Sequence, residues 1–171
     1  MSPTGSSALF CNGQPADAAA LGAALVNYGH FTSLQVRGHA VQGLDLHLQR
    51  LAHATQALFG SVLDEGQVQR WMAQALQQAG VADASLRVTV FSRAFDFRAP
   101  LATVAADVLV AVSAPVRLSA ARAVCSVRYQ RDLPAIKHAG TFGLFQQRRE
   151  AMAAGFDDAL FLTAEGLVSE G

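Results

Sequence analysis

The sequence predicts an α+β protein, because two hydrophobic patterns of different period share one chain. Short runs that alternate apolar and polar residues, or are wholly apolar, read as strands, whereas longer stretches repeat their apolar residues at helical spacing and stop at glycine. A third observation sets the organisation. Strand readings crowd together after the second helix, and Pro115–Ala121 then interrupts them, which divides the chain into a small N-terminal α+β domain, residues 1–114, and a second region, residues 115–171.

Taken in order, Leu9–Cys11 followed by Asn12-Gly13 reads as a short strand and turn, and the Ala-rich stretch up to Val26 reads as loop or helix. Phe31–Val36 alternates, and Arg37-Gly38-His39 turns it into Ala40-Val41, a hairpin. From Asp45, read as the N-cap, Leu48, Leu51, Ala54 and Leu58 recur on one helical face until Gly60. Glu65–Ala79 is a second helix, with Val68, Trp71, Met72, Ala75 and Leu76 on its apolar face and Gly80 as its stop. Leu86–Ser92, Asp107–Ser113 and Ala123–Arg128 read as strands, and Arg93–Pro100 as a connection. After Asp132-Leu133-Pro134 comes a helix over Thr141–Ala154, stopped by Gly155. Asp157-Asp158 reads as turn chemistry. Asp158–Leu162 and Leu167–Ser169, joined by Ala164-Glu165-Gly166, form a closing hairpin.

Of the 171 residues 51% are hydrophobic and 15% charged, and thirteen basic side chains balance thirteen acidic ones, so no net field gathers phosphate backbones or anionic lipid. Nucleic acid and membrane surfaces are therefore not expected partners. The longest apolar stretch, Val104–Val112, is broken by Asp107 and falls short of the ~20 residues that span a bilayer. Cys11 and Cys125 belong to no disulfide framework and no zinc-ligand spacing, and Met1–Ser7 lacks the features of a signal peptide, so a reducing, cytoplasmic location is expected. The strand reading runs into Gly171 with no closing element, which reads as a chain cut short.

Three places could carry chemistry. Lys137, the only lysine, follows Ile136 ahead of a helix. It is either a solvated loop residue or an amine whose charge is disfavoured by its apolar surroundings, as a Schiff-base lysine requires. His47 and Arg50 share a helical face, where Arg50 either snorkels beside Leu51 or grips a phosphate with its planar fork. Glu170 ends a strand beside Gly171, either as a turn residue or as a carboxylate that holds a proton on a heterocyclic nitrogen.

The motifs Asn27-Tyr28-Gly29-His30-Phe31-Thr32-Ser33, His47-Leu48-Gln49-Arg50-Leu51, Ile136-Lys137-His138, Gly155-Phe156-Asp157-Asp158-Ala159-Leu160-Phe161-Leu162 and Gly166-Leu167-Val168-Ser169-Glu170-Gly171 occur in one register. In that order they resemble the class IV aminotransferases, the fold-type IV pyridoxal-phosphate enzymes that include branched-chain and D-amino acid aminotransferases and aminodeoxychorismate lyase. The resemblance implies a two-domain fold of which the second domain is incomplete, with pyridoxal 5'-phosphate as cofactor. It implies Lys137 as the catalytic lysine that carries the cofactor, Arg50 as its phosphate ligand and Glu170 as partner of the pyridine nitrogen. Phe31 and Ser33 would line the substrate pocket, an amino donor and a 2-oxo acid acceptor would be the substrates, and a homodimer the assembly.

Departures from the family patterns bear on the reaction. The Tyr-Glu pair of D-amino acid aminotransferases is replaced by Phe31-Thr32, and the tyrosine that follows the lysine in branched-chain enzymes by Phe142. Phe31-Thr32-Ser33 and Ile136-Lys137-His138 are similar to the lyases, although Gly140 stands where the lyases have asparagine. Amino transfer is the expected activity, with β-elimination of pyruvate from 4-amino-4-deoxychorismate as the alternative. A non-catalytic fragment or degenerate relative is a third expectation, since the family's further asparagine strand and glycine-threonine turn do not follow Gly171. On that reading the 171-residue chain binds the cofactor weakly or not at all.

Overall fold

The computed structural model describes residues 8–116 and 121–170, so Met1–Ser7, Gly171 and most of the expected Pro115–Ala121 joint lie outside the described residues. The described chain falls into two compact units, one of residues 8–116 with 136–139, the other of residues 121–135 with 140–170.

The first unit is built on an antiparallel sheet of β1 (Ala8–Cys11), β2 (Gln14–Pro15), β3 (His30–Arg37), β4 (Ala40–Val41), β5 (Ala84–Phe91) and β6 (Asp107–Ser113), in the order β2-β1-β6-β5-β3-β4. Two-residue turns close both short hairpins. Asn12 and Gly13 take φ of 48° and 79°, and Gly38 and His39 take 52° and 64°, the left-handed pairs that match strand twist. Register sorts the side chains between the faces. The row Phe10, Val110, Val88 and Thr32 faces one way, and the next row, Cys11, Leu109, Thr89 and Phe31, faces the other.

Helices α2 (Leu44–Phe59) and α3 (Glu65–Ala79) cover the first of these faces, burying Leu51, Phe59, Val68 and Met72 against Val36, Leu86, Val88 and Val110. Truncating one such side chain, as in Leu51→Ala, costs ~2–5 kcal/mol. The span of α3 is as the periodicity predicts. The Asp64 carboxylate accepts from Gln67 N at 2.9 Å, and Gly80, at φ 66°, ends the helix. The start of α2 differs: Gly43, at φ 63°, is the cap residue, and Asp45 lies inside the first turn. A left-handed glycine lets the chain enter the helix earlier than a side-chain cap would, and leaves Asp45 as an acid near the positive helix end. The Ala-rich stretch contains α1 (Ala18–Ala24), whose cap Asp17 accepts from Ala20 N at 2.7 Å. Ala20 packs on Cys11 and Phe91 over the opposite sheet face.

In the second unit β7 (Val124–Arg128) pairs parallel with β8 (Asp158–Leu162), and β8 pairs antiparallel with β9 (Val168–Glu170). The crossover that a parallel pair requires contains α4 (Phe142–Ala153), which buries Ala151 beside Ala159 and Phe161. The Asp157-Asp158 pair is more than a turn. Asp157 accepts from Ala123 N at 2.7 Å, while Asp158 opens β8 and pairs with Arg122 at 3.2 Å and Arg148 at 2.9 Å. Among the described residues no helix is long and apolar enough to cross a membrane.

Candidate functional site

Strand alternation turns His30 and Thr32 of β3 toward α2, and the helix answers with side chains two turns apart. Deeper in the interface, His30 Nε2 lies 3.0 Å from Thr55 Oγ1, whose hydroxyl lies 2.8 Å from Leu51 O. Nearer the start of the helix, Thr32 Oγ1 lies 2.6 Å from His47 Nδ1. Arg50, one turn on from His47, donates from Nη2 to the same Thr32 oxygen and also approaches His47 Nδ1 at 3.3 Å. Burial, and then the Arg50 charge, push the His47 pKa below its ordinary value. His47 and Arg50 line a hollow of about 410 Å³ together with Gln42, Gly43 and Leu46.

Lys137 is placed by its backbone. Residues 136–139 return to β3 where β4 does not reach, so Phe31 N donates to Lys137 O and Ala139 N to Gly29 O, both at 2.8 Å, and His138 bridges to His30. Gly29 itself lies close against β5, where a Cβ would come within 2.5 Å of Val90 O. The half-buried Lys137 side chain puts Nζ 5.2 Å from the centroid of the Phe31 ring. The helix that follows spans Phe142–Ala153, within one residue of the expected bounds at each end, and Thr141 occupies its cap position.

Glu170, in the second unit, is held by Arg131, which donates through Nε at 3.0 Å and through Nη2 to the other carboxylate oxygen. The Arg131 side chain is only 6% exposed. A two-point grip of this kind fixes the plane of the carboxylate. Glu170 stands opposite Phe161 across the irregular β8–β9 pairing.

Among the sequence candidates the structure therefore places Arg50, Lys137, Phe31 and Ser33 in the first unit and Glu170 in the second. Phe31 is buried and meets Lys137, whereas Ser33 is exposed on the same strand face. Two further residues touch these candidates and carry no signal of their own in the sequence. Arg131 sits in a stretch with no periodicity, and only its pairing with Glu170 exposes it. Arg87, inside β5, lays its guanidinium 3.5 Å from the Phe31 ring centroid, and burial lowers its pKa. Its position diagonal to Phe31 follows from strand pairing, which the local sequence does not encode.

Comparison with known proteins bears on the fold and the family. The branched-chain amino acid aminotransferase of T.th. superposes with a TM-score of 0.75 at 21% identity over 95% of this chain and 60% of its own. A 4-amino-4-deoxychorismate lyase candidate from Legionella pneumophila gives 0.70 at 18% identity, covering 85% of this chain and 56% of that one. A hypothetical aminotransferase from Mycobacterium tuberculosis, in its PLP-bound form, gives 0.66 at 21% identity, covering 85% and 56%. At these identities the likeness establishes the fold, that of fold-type IV, and the chain spans about 60% of the length of the branched-chain enzyme. No curated protein sequence matches the chain. The family model for Amino-transferase class IV matches residues 29–171, which takes in β3, α2, the Lys137 segment and β9, and the chain belongs to that family.

Proposed function

We propose that the protein is a pyridoxal-phosphate-dependent aminotransferase acting on an amino acid or related amine, with Lys137 as the residue that carries the cofactor. The observation that supports this most is the Lys137 segment. The chain spends backbone hydrogen bonds to Gly29 and Phe31 on holding its only lysine beside an aromatic ring and a second cation, Arg87. The donor sets fit the cofactor chemically: a guanidinium with a polar relay on a hollow for a phosphate, an amine for an aldehyde, and an arginine-oriented carboxylate for a protonated ring nitrogen.

When bound, pyridoxal phosphate supplies an aldehyde that accepts amines and a ring that withdraws electrons from the substrate Cα. Arg50 anchors the phosphate through its planar fork. Glu170, oriented by Arg131, keeps a proton on the pyridine nitrogen. Lys137 Nζ is the group that would hold the cofactor, and as a free amine it could take and return the proton at the substrate Cα. The Arg87 guanidinium, which shares the Phe31 ring with Lys137, offers a cation to an anionic substrate carboxylate. Phe31 and Ser33 line the substrate side, and the partner substrates are an amino donor and a 2-oxo acid. A homodimer is the assembly expected of the whole protein.

β-Elimination is the second reading. Phe142, 82% exposed at the start of α4, brings no hydroxyl where branched-chain enzymes have tyrosine, and Phe31 brings none where D-amino acid enzymes do. Incubation with pyridoxal phosphate, borohydride reduction and peptide mapping tests the cofactor assignment. The label is expected on Lys137 and lost in Lys137→Ala; a label elsewhere, or colour retained by the variant, overturns it. Pyruvate release from 4-amino-4-deoxychorismate, set against amino transfer to 2-oxo acids, separates the two reactions.

A further inference from the structure

We infer that His47 is a second ligand for the anionic group bound by Arg50, presented as a neutral Nε2–H donor by an Arg50–Thr32–His47 relay. The inference deepens the reading of Arg50 as a phosphate ligand and rests on it. A guanidinium only donates, so the fully buried Thr32 Oγ1 accepts from Arg50 Nη2 and must give its single hydrogen elsewhere. His47 Nδ1, at 2.6 Å, is where that hydrogen goes. Arg50 Nη2 also points at Nδ1 from 3.3 Å, and two donors facing one ring nitrogen require it to be an acceptor. The imidazole proton is therefore on Nε2.

With Thr32 and Arg50 both facing Nδ1 the ring meets a ligand with one fixed donor and no charge of its own, and burial and the adjacent guanidinium favour the same neutral form. This suits the hollow that His47 and Arg50 line with Gln42, Gly43 and Leu46. A phosphate monoester offers only acceptor oxygens once ionised. Arg50 supplies the charge, and His47 adds a directed hydrogen bond without the repulsion that a second cation beside Arg50 would bring. Thr32 is a positioning residue in this scheme, since its hydroxyl sets both the Arg50 fork and the His47 tautomer.

The test uses inorganic phosphate, pyridoxal phosphate and phosphate-free pyridoxal on the intact protein. Imidazole nitrogen NMR is expected to show His47 protonated at Nε2, with that resonance moving as inorganic phosphate is added. His47→Asn keeps an acceptor near the Nδ1 position and removes the Nε2 donor, so it is expected to weaken pyridoxal phosphate about tenfold and leave pyridoxal unchanged. Thr32→Val is expected to weaken pyridoxal phosphate similarly, and Thr32→Ser to restore it. A proton on Nδ1, or unchanged phosphate affinity in His47→Asn while Lys137 still takes the borohydride label, overturns the inference alone. Phosphate binding that depends on His47, with no label on Lys137, supports the anion site and overturns the cofactor reading instead.

Discussion

Strand β3 and helix α2 are joined by the same pair of residue types twice, in opposite senses. At the inner contact the strand contributes His30 and the helix Thr55; at the outer contact the strand contributes Thr32 and the helix His47. The inner histidine is 1% exposed, and burial brings its pKa down to about 4. Its Nε2–H donates to the Thr55 hydroxyl, which passes its own hydrogen to Leu51 O, so the chain of donors ends inside the helix. The outer pair begins at a guanidinium and opens on a hollow. Identical chemistry therefore closes on itself in the core and stays available at the rim, and the difference is set by burial and by Arg50.

The largest expected separation between the two contacts comes from acid. His30 takes its proton near pH 6.5 in the unfolded chain but only near pH 4 in the folded one, so the unfolded state binds more protons between these limits. Stability is full above about pH 6.5, falls as the pH drops, and is lower by about 3 kcal/mol below about pH 4. Urea melts across this range should show the slope in the native protein and lose most of it in His30→Gln. A smaller effect is expected from Thr55→Val, which leaves the buried His30 Nε2–H without an acceptor and should cost about 1–3 kcal/mol in the same melts. Thr32→Val should cost less than about 1 kcal/mol, because the half-buried His47 and Arg50 can turn to water, so its signature belongs in anion affinity rather than in stability. If Thr32→Val destabilised more than Thr55→Val, the assignment of core and rim roles would be reversed.

The sequence was most readable where a single element carries its own signals. The bounds of Glu65–Ala79 are visible in the sequence because Gly80 ends the helix and its apolar face repeats on period. The start of α2 is hidden in the sequence because Gly43 enters the helix through a left-handed conformation, which no side-chain pattern announces, whereas Asp45 looks like a cap. Lys137, Arg50 and Glu170 stand out in the sequence through motif order, and what surrounds them does not. Arg87 reaches Phe31 through the register of β3 with β5, and Arg131 reaches Glu170 across separate segments of the second unit. Such partners are products of pairing, and pairing is decided by the whole sheet.

The anchoring of residues 136–139 on the start of β3 also bears on how the protein is made. During synthesis β3 and the strands beside it leave the ribosome well before Lys137, so the edge that receives the lysine segment can be in place before the segment arrives. The long loop this contact closes adds little entropic cost over a shorter one, since that cost grows only logarithmically. A polypeptide begun after β6 would carry the same lysine on a backbone with no edge to join. Adding the separately folded N-terminal piece to it should return hydrogen-exchange protection to the Ala139 amide, whose acceptor, Gly29 O, lies in that piece.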